Sequence, residues 1–289
     1  KMTKVSFLDV RASYLEMKSE IDSGISEVLN SGKYILGSEV EEFEEEYSKY
    51  VNSQFCVAVG SGLSALEIAL SAIGINEGDE VIVPSFSFAA TANVVALTGA
   101  TPVFADIDEN TFNLDPKSVE SLISSKTRAV MPVHLYGQPA CMDEFVKICK
   151  KYGLLLFEDA AQSVGASFDG QPVGTFGVAG SFSFYPTKNM TSGEGGMVAT
   201  NDPEIARKVK LLRNQGMEKR YANEVVGFNN RMTDIHAAIG RVQLKRLNDW
   251  TISRQRNAAF LTANLRNVIT PVVVEKAVHV WHQYTIRIT

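Results

Sequence analysis

The sequence predicts an α/β fold in which helices cover both faces of a mostly parallel central sheet. Short apolar runs rich in β-branched and aromatic residues recur along the chain, as in strands that are buried on both faces. Helix-like segments separate most of these runs, and this alternation is typical of parallel strands joined by helices. The predicted strands are FCVAVG, EVIVPSFSF, TPVFADI, RAVMPVHLYG, GLLLFEDA, AGSFSFYP and GMVAT.

The predicted helices surround these strands in chain order. The part of the chain through Tyr50 is acidic and helical, and its run GSEVEEFEEEYSKY is most simply the solvated face of a helix. Asp202 followed by proline is a good helix start. The other predicted helices are residues 63–73, 89–97, 116–124 and 142–152, followed by MTDIHAAIGRVQLKRLNDW and ISRQRNAAFLTANLRN.

The pattern also indicates a domain boundary near Pro271. Residues 1–270 form one large domain in this interpretation, with the helical segment 1–50 at its start. After ITPVVVE the pattern returns to strands in HVWHQYTIRIT, where we expect an edge strand that ends on Thr289. We expect residues 271–289 to be the beginning of a smaller C-terminal α+β domain, of which only this first part is present.

Composition excludes several classes of function. The net charge is -5 and no Lys/Arg cluster is visible, so a nucleic-acid surface is not expected. No apolar run reaches the length of a membrane span, and no signal-peptide pattern opens the chain. The three cysteines have neither zinc nor redox spacing, which favours reduced packing residues in a cytoplasmic protein. The four histidines contain no HExxH pair, so we expect no metal site.

The stretch SFSFYPTKNMTSGEGG places Lys188 directly after an apolar strand and before a glycine-rich turn. Most loop lysines are solvated. The alternative is a lysine held for chemistry, as an amine nucleophile or as a phosphate ligand. Ligands bind at the carboxyl ends of the strands in open parallel sheets, and Lys188 follows such an end.

Two further strand ends carry polar groups. LLLFEDAAQS ends with Glu158 and Asp159, which face opposite ways in a strand, so that one can enter a site while the other meets solvent or a helix. A helix N-cap is the alternative for either carboxylate, and Gln162 joins the site if a helical turn begins there. In VGSGLSALEIAL a turn at Gly62 precedes a helix whose free amides can hold a phosphate, although such junctions are common in proteins of other kinds.

One cofactor explains these three features together. Pyridoxal phosphate needs an amine for a Schiff base, an acid group beside its pyridine nitrogen and an anion site for its phosphate. Lys188, Asp159 and the turn at Gly62 supply these groups. Phe88, at the end of EVIVPSFSF, offers a flat surface for the ring, with a plain core phenylalanine as the alternative.

At these residues the sequence resembles the DegT/DnrJ/EryC1/StrS family of sugar aminotransferases. The family belongs to the fold-type I aspartate aminotransferase superfamily, so the resemblance implies a fold-type I transferase. The matching stretches cover nearly the whole chain in order. They are ILGSEVEEFEEEY, VGSGLSALEIAL, GDEVIVPSFSFAATANVV, VFADIDENTFNLDP, MPVHLYGQPACMD, FEDAAQSVGA, SFSFYPTKNMTSGEGG and GFNNRMTDIHAAIG.

The resemblance implies a role for each residue of the site. Lys188 would form the Schiff base with the cofactor and then act as the base that moves the proton. Asp159 would pair with the pyridinium nitrogen, and Gln162 would bond to the ring hydroxyl. The remaining implied ligands are Ser183 with the amides of Gly62 and Leu63 for the phosphate, and Phe88 stacked on the ring.

The resemblance also implies a homodimer with shared active sites. Asn229, in GFNNRM, would reach the phosphate of the other subunit's cofactor, and Arg231 would line the same shared cleft to meet substrate. One departure from the family concerns the phosphate. Leu63 stands where the family usually has threonine, which leaves the backbone amides and Ser64 to compensate.

The implied reaction transfers an amino group from an amino acid, glutamate above all, to a nucleotide-linked keto-deoxysugar. TSGEGG favours a 4-keto sugar, whereas SGLSAL resembles enzymes that act at C3. One alternative is a sugar dehydratase, in which histidine replaces the lysine, and Lys188 argues against it. The other is a non-catalytic regulatory protein that binds the cofactor or a sugar nucleotide, for which no DNA-binding module is visible.

Overall fold

The computed structural model describes residue 6 and residues 8–288, and its centre is a seven-stranded sheet. The sheet contains β1, β2, β3, β4, β5, β8 and β9, while the remaining strands form two small ribbons. The strands are β1 (Phe55–Val59), β2 (Glu80–Pro84), β3 (Thr101–Ala105), β4 (Thr127–Val130), β5 (Leu155–Asp159), β6 (Ser167–Phe168), β7 (Gln171–Pro172), β8 (Ala179–Ser183), β9 (Gly196–Thr200), β10 (Met217–Lys219), β11 (Ala222–Asn223) and β12 (Ala277–Val278).

Helices lie on both sides of this sheet. A 3-10 turn, Leu135–Gly137, follows β4. The helices are α1 (Ala12–Glu16), α2 (Lys18–Ser31), α3 (Ser38–Val51), α4 (Gly62–Ala72), α5 (Ala90–Leu97), α6 (Pro116–Ser121), α7 (Met142–Tyr152), α8 (Pro203–Arg213), α9 (Asp234–Leu244) and α10 (Leu247–Asn264).

The strand order in the sheet is β1-β9-β8-β5-β4-β2-β3. Parallel pairing joins β3, β2, β4, β5 and β8, while β9 runs antiparallel to both of its neighbours, β8 and β1. The prediction of a mostly parallel sheet with surrounding helices is therefore confirmed. Because β5 and β8 are parallel neighbours, the residues that follow them meet at one edge.

Alternate residues of each strand enter two different apolar layers, as burial on both faces requires. In β1, Val57 and Val59 pack with α4 and α8, whereas Cys56 and Ala58 pack with α3 and α9. A third cluster, around Phe145 of α7, covers the part of the sheet formed by β2, β4 and β5. These layers fix the sheet, so the loops at the carboxyl ends of its strands start from rigid positions.

The acidic helix α3 is only in part the solvated face that its charge run predicted, because Glu41, Glu42 and Glu45 are exposed and the other glutamates are not. Glu44 is mostly buried, accepts the Ala58 amide at 2.8 Å and pairs with the buried Arg213. Arg241 of α9 bonds to three other glutamates of α3, which are Glu39, Glu42 and Glu46. The acidic run thus ties α3 to the sheet and to α9, because its glutamates meet arginines that are distant in sequence.

The C-terminal segment also differs from the predicted strand. Within HVWHQYTIRIT the structure forms no long edge strand over its described residues 279–288, and Thr289 lies outside the described residues. The Val280 amide donates to Gly137 O at 3.0 Å and the Gln283 amide to Tyr136 O at 3.1 Å. These two amides thus donate to carbonyls of the turn after β4. The hydrogen bonds hold the C-terminal segment against the edge of the sheet.

Two helices have bounds that differ slightly from the predicted ones. The predicted helix 116–124 ends at Ser121. Helix α10 begins at Leu247, so it includes Trp250, which was assigned to the preceding helix.

The three cysteines are free thiols. Cys56 and Cys149 are buried and Cys141 is half-buried, which agrees with a packing role. Across residue 6 and residues 8–288, no helix combines the length and apolar character that crossing a membrane requires.

Candidate active site

A cavity of about 810 Å³ opens at the carboxyl ends of β5 and β8. Its wall includes seven of the residues that the sequence assigned to cofactor binding, which are Gly62, Leu63, Phe88, Asp159, Gln162, Ser183 and Lys188. These residues come from segments up to 126 positions apart (62 to 188), and the sheet brings them together. The volume lies within the usual range of small-molecule sites.

The turn after β1 brings the start of α4 into the cavity wall. Ser61 caps the helix, because its Oγ accepts the Ser64 amide at 3.1 Å. The amides of Gly62 and Leu63 belong to the first turn, so no helical carbonyl is available to them and they can bind an anion. A Cβ on Gly62 would lie 2.5 Å from the Cβ of Ser183, so glycine is required for this approach of α4 to β8.

Ser64, which was expected to help compensate for Leu63, is not part of the cavity wall. Ser64 is buried, its Oγ lies 2.9 Å from the Ser61 Oγ, and it does not line the cavity. Ser61 does line the cavity. At the start of α4, the cap residue Ser61 therefore offers a hydroxyl in the cavity wall beside the free amides, whereas Ser64 does not.

Asp159 ends β5 with its carboxylate in the cavity wall. Its Oδ2 accepts the hydroxyl of Thr91 at 2.9 Å and its Oδ1 accepts the Ala161 amide at 3.1 Å. Burial raises the pKa of Asp159, and these two hydrogen bonds together with the Lys188 charge act in the opposite direction. Each carboxylate oxygen retains an acceptor position for a ligand, since an ionised carboxylate has about four.

Glu158 faces away from the cavity, as strand alternation predicted, but it meets neither solvent nor a helix. Its carboxylate is fully buried and accepts the amides of Gly174, Phe176 and Gly177 at 2.7 to 3.0 Å. The His134 Nε2 lies 3.2 Å from the same group. Glu158 thus braces the loop between β7 and β8, and Asp159 is the carboxylate that the cavity receives.

Lys188 lies in the loop after β8, where its amide donates to Tyr185 O at 2.9 Å. The side chain is half-buried and lines the cavity, which disfavours the alternative of a solvated loop lysine. Burial lowers the pKa of its amine, and the negative charge of Asp159 opposes this effect. A lysine that loses its proton more readily is the better nucleophile.

Gln162 is held so that its amide nitrogen remains available. Its Oε1 accepts the backbone amide of Tyr136 at 2.8 Å. The side chain lines the cavity, and the remaining NH₂ group can only donate. This geometry suits a donor to an oxygen of a bound ligand, and it depends on the turn at Tyr136, whose φ of 59° is left-handed.

Phe88 lies at the mouth of the cavity, and 73% of its surface is exposed. The alternative of a plain core phenylalanine is therefore wrong. Phe86 is exposed to 47% on the same wall. These exposed rings offer flat apolar surfaces to a ligand or to another chain.

Asn229 and Arg231 lie outside the cavity of their own chain. Arg231 donates to Asn229 Oδ1 and, at 3.2 Å, to Asn214 Oδ1. The structure therefore does not bring these two residues to Lys188 within one chain. Their predicted roles at a site shared with a second subunit stay predictions.

Sequence reasoning missed two groups of cavity residues. Ser87 and Thr91 form a hydrogen-bonded pair beside Asp159, and the spacing of four positions at the start of α5 was the available signal. His282 comes from the C-terminal segment that was predicted as a strand, so nothing in the sequence pattern marked it. Burial lowers the pKa of His282 to about 3, and the charges of Lys188 and Arg254 act in the same direction.

A comparison with protein families matches residues 15–289 to the DegT/DnrJ/EryC1/StrS aminotransferase family. One relative is the pleiotropic regulatory protein of Geobacillus stearothermophilus, with 43% identity over 98% of this chain and 78% of that protein. Another is the dTDP-3-amino-3,4,6-trideoxy-alpha-D-glucose transaminase of Streptomyces venezuelae, with 43% identity over 98% of this chain and 76% of that protein.

Among solved structures, the chain is similar to Streptomyces venezuelae DesV in complex with a ketimine intermediate. The TM-score is 0.96 and the identity is 42%, over 99% of this chain and 78% of that chain. The similarity thus extends over nearly all elements described above.

Proposed function

The chain belongs to the DegT/DnrJ/EryC1/StrS aminotransferase family, and on this premise we propose that it transfers an amino group from glutamate to a nucleotide-linked keto-deoxysugar. The observation that carries the proposal is the half-buried Lys188 amine in one cavity with the buried Asp159 carboxylate. An amine and a carboxylate so placed are the groups that amino transfer needs from the protein.

The chain is a sugar aminotransferase that uses pyridoxal 5′-phosphate. The cavity fits this cofactor. Lys188 offers an amine of lowered pKa, Asp159 keeps acceptor positions free, and the start of α4 presents two amides for a phosphate. When bound, the cofactor supplies an electron sink for the negative charge that develops on the substrate carbon.

Each residue of the chain has a separate task in this proposal. Lys188 attaches the cofactor and then moves the proton at the carbon that carries the amino group. Asp159 holds a proton on the ring nitrogen by its negative charge. Gln162 donates its free NH₂ to the ring hydroxyl, because its Oε1 is occupied by Tyr136. Ser183 and the amides of Gly62 and Leu63 bind the phosphate, and Phe88 stacks on the ring.

The second substrate occupies the rest of the cavity. The sequence predicts a 4-keto sugar, and this remains the first candidate. A 3-keto sugar is the second candidate, because the transaminase relative from Streptomyces venezuelae is named for a 3-amino sugar. The neutral His282 on the cavity wall suits a sugar hydroxyl in either case, since a neutral imidazole has one donor and one acceptor.

The other functions considered from the sequence have less support. A dehydratase would carry histidine in place of Lys188. A purely regulatory function has a relative's name in its favour, the pleiotropic regulatory protein of Geobacillus stearothermophilus. A binding protein has no need of a lysine whose pKa is lowered beside a buried carboxylate, so the cavity favours catalysis.

The proposed enzyme is a homodimer with shared sites. Asn229 and Arg231 lie away from their own cavity, and Phe86 and Phe88 leave an exposed apolar rim around it. A second copy would bring Asn229 to the phosphate and cover the rim. We propose that Arg231 lines the shared cleft and meets the phosphates of the sugar nucleotide.

The two half-reactions test the proposed function. Glutamate alone should change the visible absorption of the holoenzyme, and a keto-sugar nucleotide should then restore it. Running 3-keto and 4-keto sugars in parallel decides between the two candidates. Parallel-line kinetics should follow, because the first product leaves before the second substrate binds.

The assignment of a keto-sugar nucleotide as the amino acceptor would be wrong if simple 2-keto acids restored the absorption and no keto-sugar nucleotide did. Absence of any response to amino acids would favour the regulatory alternative.

A further inference from the structure

Two hydroxyls and a carboxylate form a continuous hydrogen-bonded chain in the cavity wall. The Thr91 Oγ1 lies 2.9 Å from Asp159 Oδ2 and 3.0 Å from the Ser87 Oγ. Thr91 is 2% exposed and Asp159 is 4% exposed, whereas Ser87 is only half-buried. All three residues line the cavity.

When Asp159 is ionised, as its proposed role requires, the direction of each hydrogen bond in this chain follows from counting protons. A carboxylate only accepts, so the single proton of the Thr91 hydroxyl is given to Asp159. Ser87 must then be the donor to Thr91, since Thr91 has no second proton. Threonine within a helix often bonds to the carbonyl four residues before it, but here the contact at that spacing is the hydroxyl of Ser87.

We propose that Thr91, supported by Ser87, is a positioning residue that keeps Asp159 ionised and directs its free acceptor position at the ring nitrogen of the cofactor. This inference rests on the proposed function of Asp159. It adds a hydrogen-bond donor that stabilises the ionised form of Asp159. Burial of the carboxylate disfavours that form.

The opposing effects at Asp159 show what the hydroxyl contributes. Burial is the largest influence and raises the pKa of Asp159, while the Ala161 amide, the Thr91 hydroxyl and Lys188 lower it. Among the groups that face Asp159, Lys188 comes from the loop after β8 and His134 from the loop after β4. Removing the hydroxyl leaves burial opposed by fewer groups, so the pKa should rise.

Thr91→Val is the test, because it keeps the shape of the side chain and removes the hydroxyl. A hydrogen bond to a charged group is worth roughly ten- to hundredfold in an equilibrium. We expect kcat to fall by roughly that factor with the KM for glutamate little changed, and the acidic limb of the rate profile to move to higher pH. Thr91→Ser should recover most of the rate, and Ser87→Ala should lose only a few-fold.

A measurement on the cofactor-free protein separates this role from a structural one. With carboxyl-labelled aspartate, the NMR signal of Asp159, assigned by its loss in Asp159→Asn, should titrate at higher pH in Thr91→Val. Circular dichroism should show the same fold in both proteins. An unchanged titration of Asp159 would overturn the inference, whatever happened to turnover.

A double-mutant cycle distinguishes failure of this inference from failure of the proposed function. Once Asp159→Asn has removed the charge, Thr91→Val should cost little more. A full additional loss in the double variant would show that Thr91 acts elsewhere and would overturn the inference. Normal turnover of Asp159→Asn alone would instead refute the proposed role of Asp159.

Discussion

Burial of the Lys188 amine has a consequence that can be measured against pH. Its pKa is lowered, so the neutral and nucleophilic form is present at lower pH than for an ordinary lysine. The rate at which the cofactor-free enzyme captures pyridoxal phosphate, followed by visible absorption, should rise with pH to a plateau. The midpoint should lie below the ordinary lysine pKa of about 10.4. A midpoint at or above that value would contradict the assigned environment of Lys188.

Asp159 should show opposite effects on catalysis and on stability. Asp159→Asn keeps the shape but removes the charge beside the ring nitrogen, so the chemical step should slow on the order of a thousandfold, or several kcal/mol. Burial raises the pKa of Asp159, so the folded protein binds this proton more tightly than the unfolded chain does, and that contribution to stability is lost as pH rises through the folded pKa.

At neutral pH the cofactor-free Asp159→Asn protein should therefore be at least as stable as the parent. Thermal unfolding monitored by circular dichroism checks this, with turnover measured on the same preparations. A clear fall in the melting temperature would mean that the carboxylate supports the fold, and a near-normal rate would remove its catalytic role.

At the scale of elements, the ion pairs of α3 contribute unequally to stability, because one is buried and another is exposed. Glu44 and Arg213 are mostly buried and share contacts with the backbone of Ala58, whereas Glu45 and Lys49 form an exposed pair on the same helix. Removing one member of a buried pair typically costs about 3 kcal/mol or more, while an exposed pair is worth at most about 1 kcal/mol.

Glu44→Ala should therefore lower the free energy of unfolding by about 3 kcal/mol, and the matched control Glu45→Ala, at the exposed pair, should lower it far less. Urea denaturation measures both values. Equal small losses would show that the buried pair is not what holds α3 to the sheet.

The elements show which parts of the fold the sequence predicts and why. Period and composition identify the central strands and most helices because each depends on residues that are near in sequence. The burial of Glu44 depends on its ion pair with Arg213, and the path of the C-terminal segment depends on its hydrogen bond to Gly137. Such partners lie far away along the chain, so neither the ion pairs of α3 nor the position of His282 was predictable from local patterns.

The candidate site was more predictable than these contacts. Lys188, Asp159 and the turn at Gly62 follow strand ends, and parallel pairing brings strand ends to one edge. The sequence analysis named Ser64 and did not consider Ser61, because the sequence does not show which hydroxyl of the turn lines the cavity. Thr91 was missed because its four-residue spacing from Ser87 does not show that the pair meets the carboxylate of Asp159.

At the scale of the whole molecule, the position of Asn229 predicts that two inactive variants can repair each other. Lys188→Ala and Asn229→Ala homodimers should each have low activity. In a mixed dimer both changes fall in one shared site and the other site is intact, so activity should return to about a quarter of the parent value if subunits mix at random and each intact site works alone.

The control for this experiment is mixing under conditions where subunits do not exchange, which should give no recovery. Exchange should be confirmed with differently tagged subunits. Failure to recover activity in confirmed mixed dimers would count against a shared site and would leave Asn229 with a role in its own subunit.

The central claim is that the lysine after β8 attaches the cofactor and carries the amino-transfer chemistry. Borohydride reduction of the holoenzyme should fix the cofactor irreversibly to its lysine, and peptide mass spectrometry then identifies the residue. We expect the mass of the reduced cofactor on the peptide that contains Lys188, and no adduct in Lys188→Ala, while Lys147→Ala, a change at an exposed lysine, should label like the parent. Attachment to any other lysine, or an equal yield from Lys188→Ala, would contradict the account.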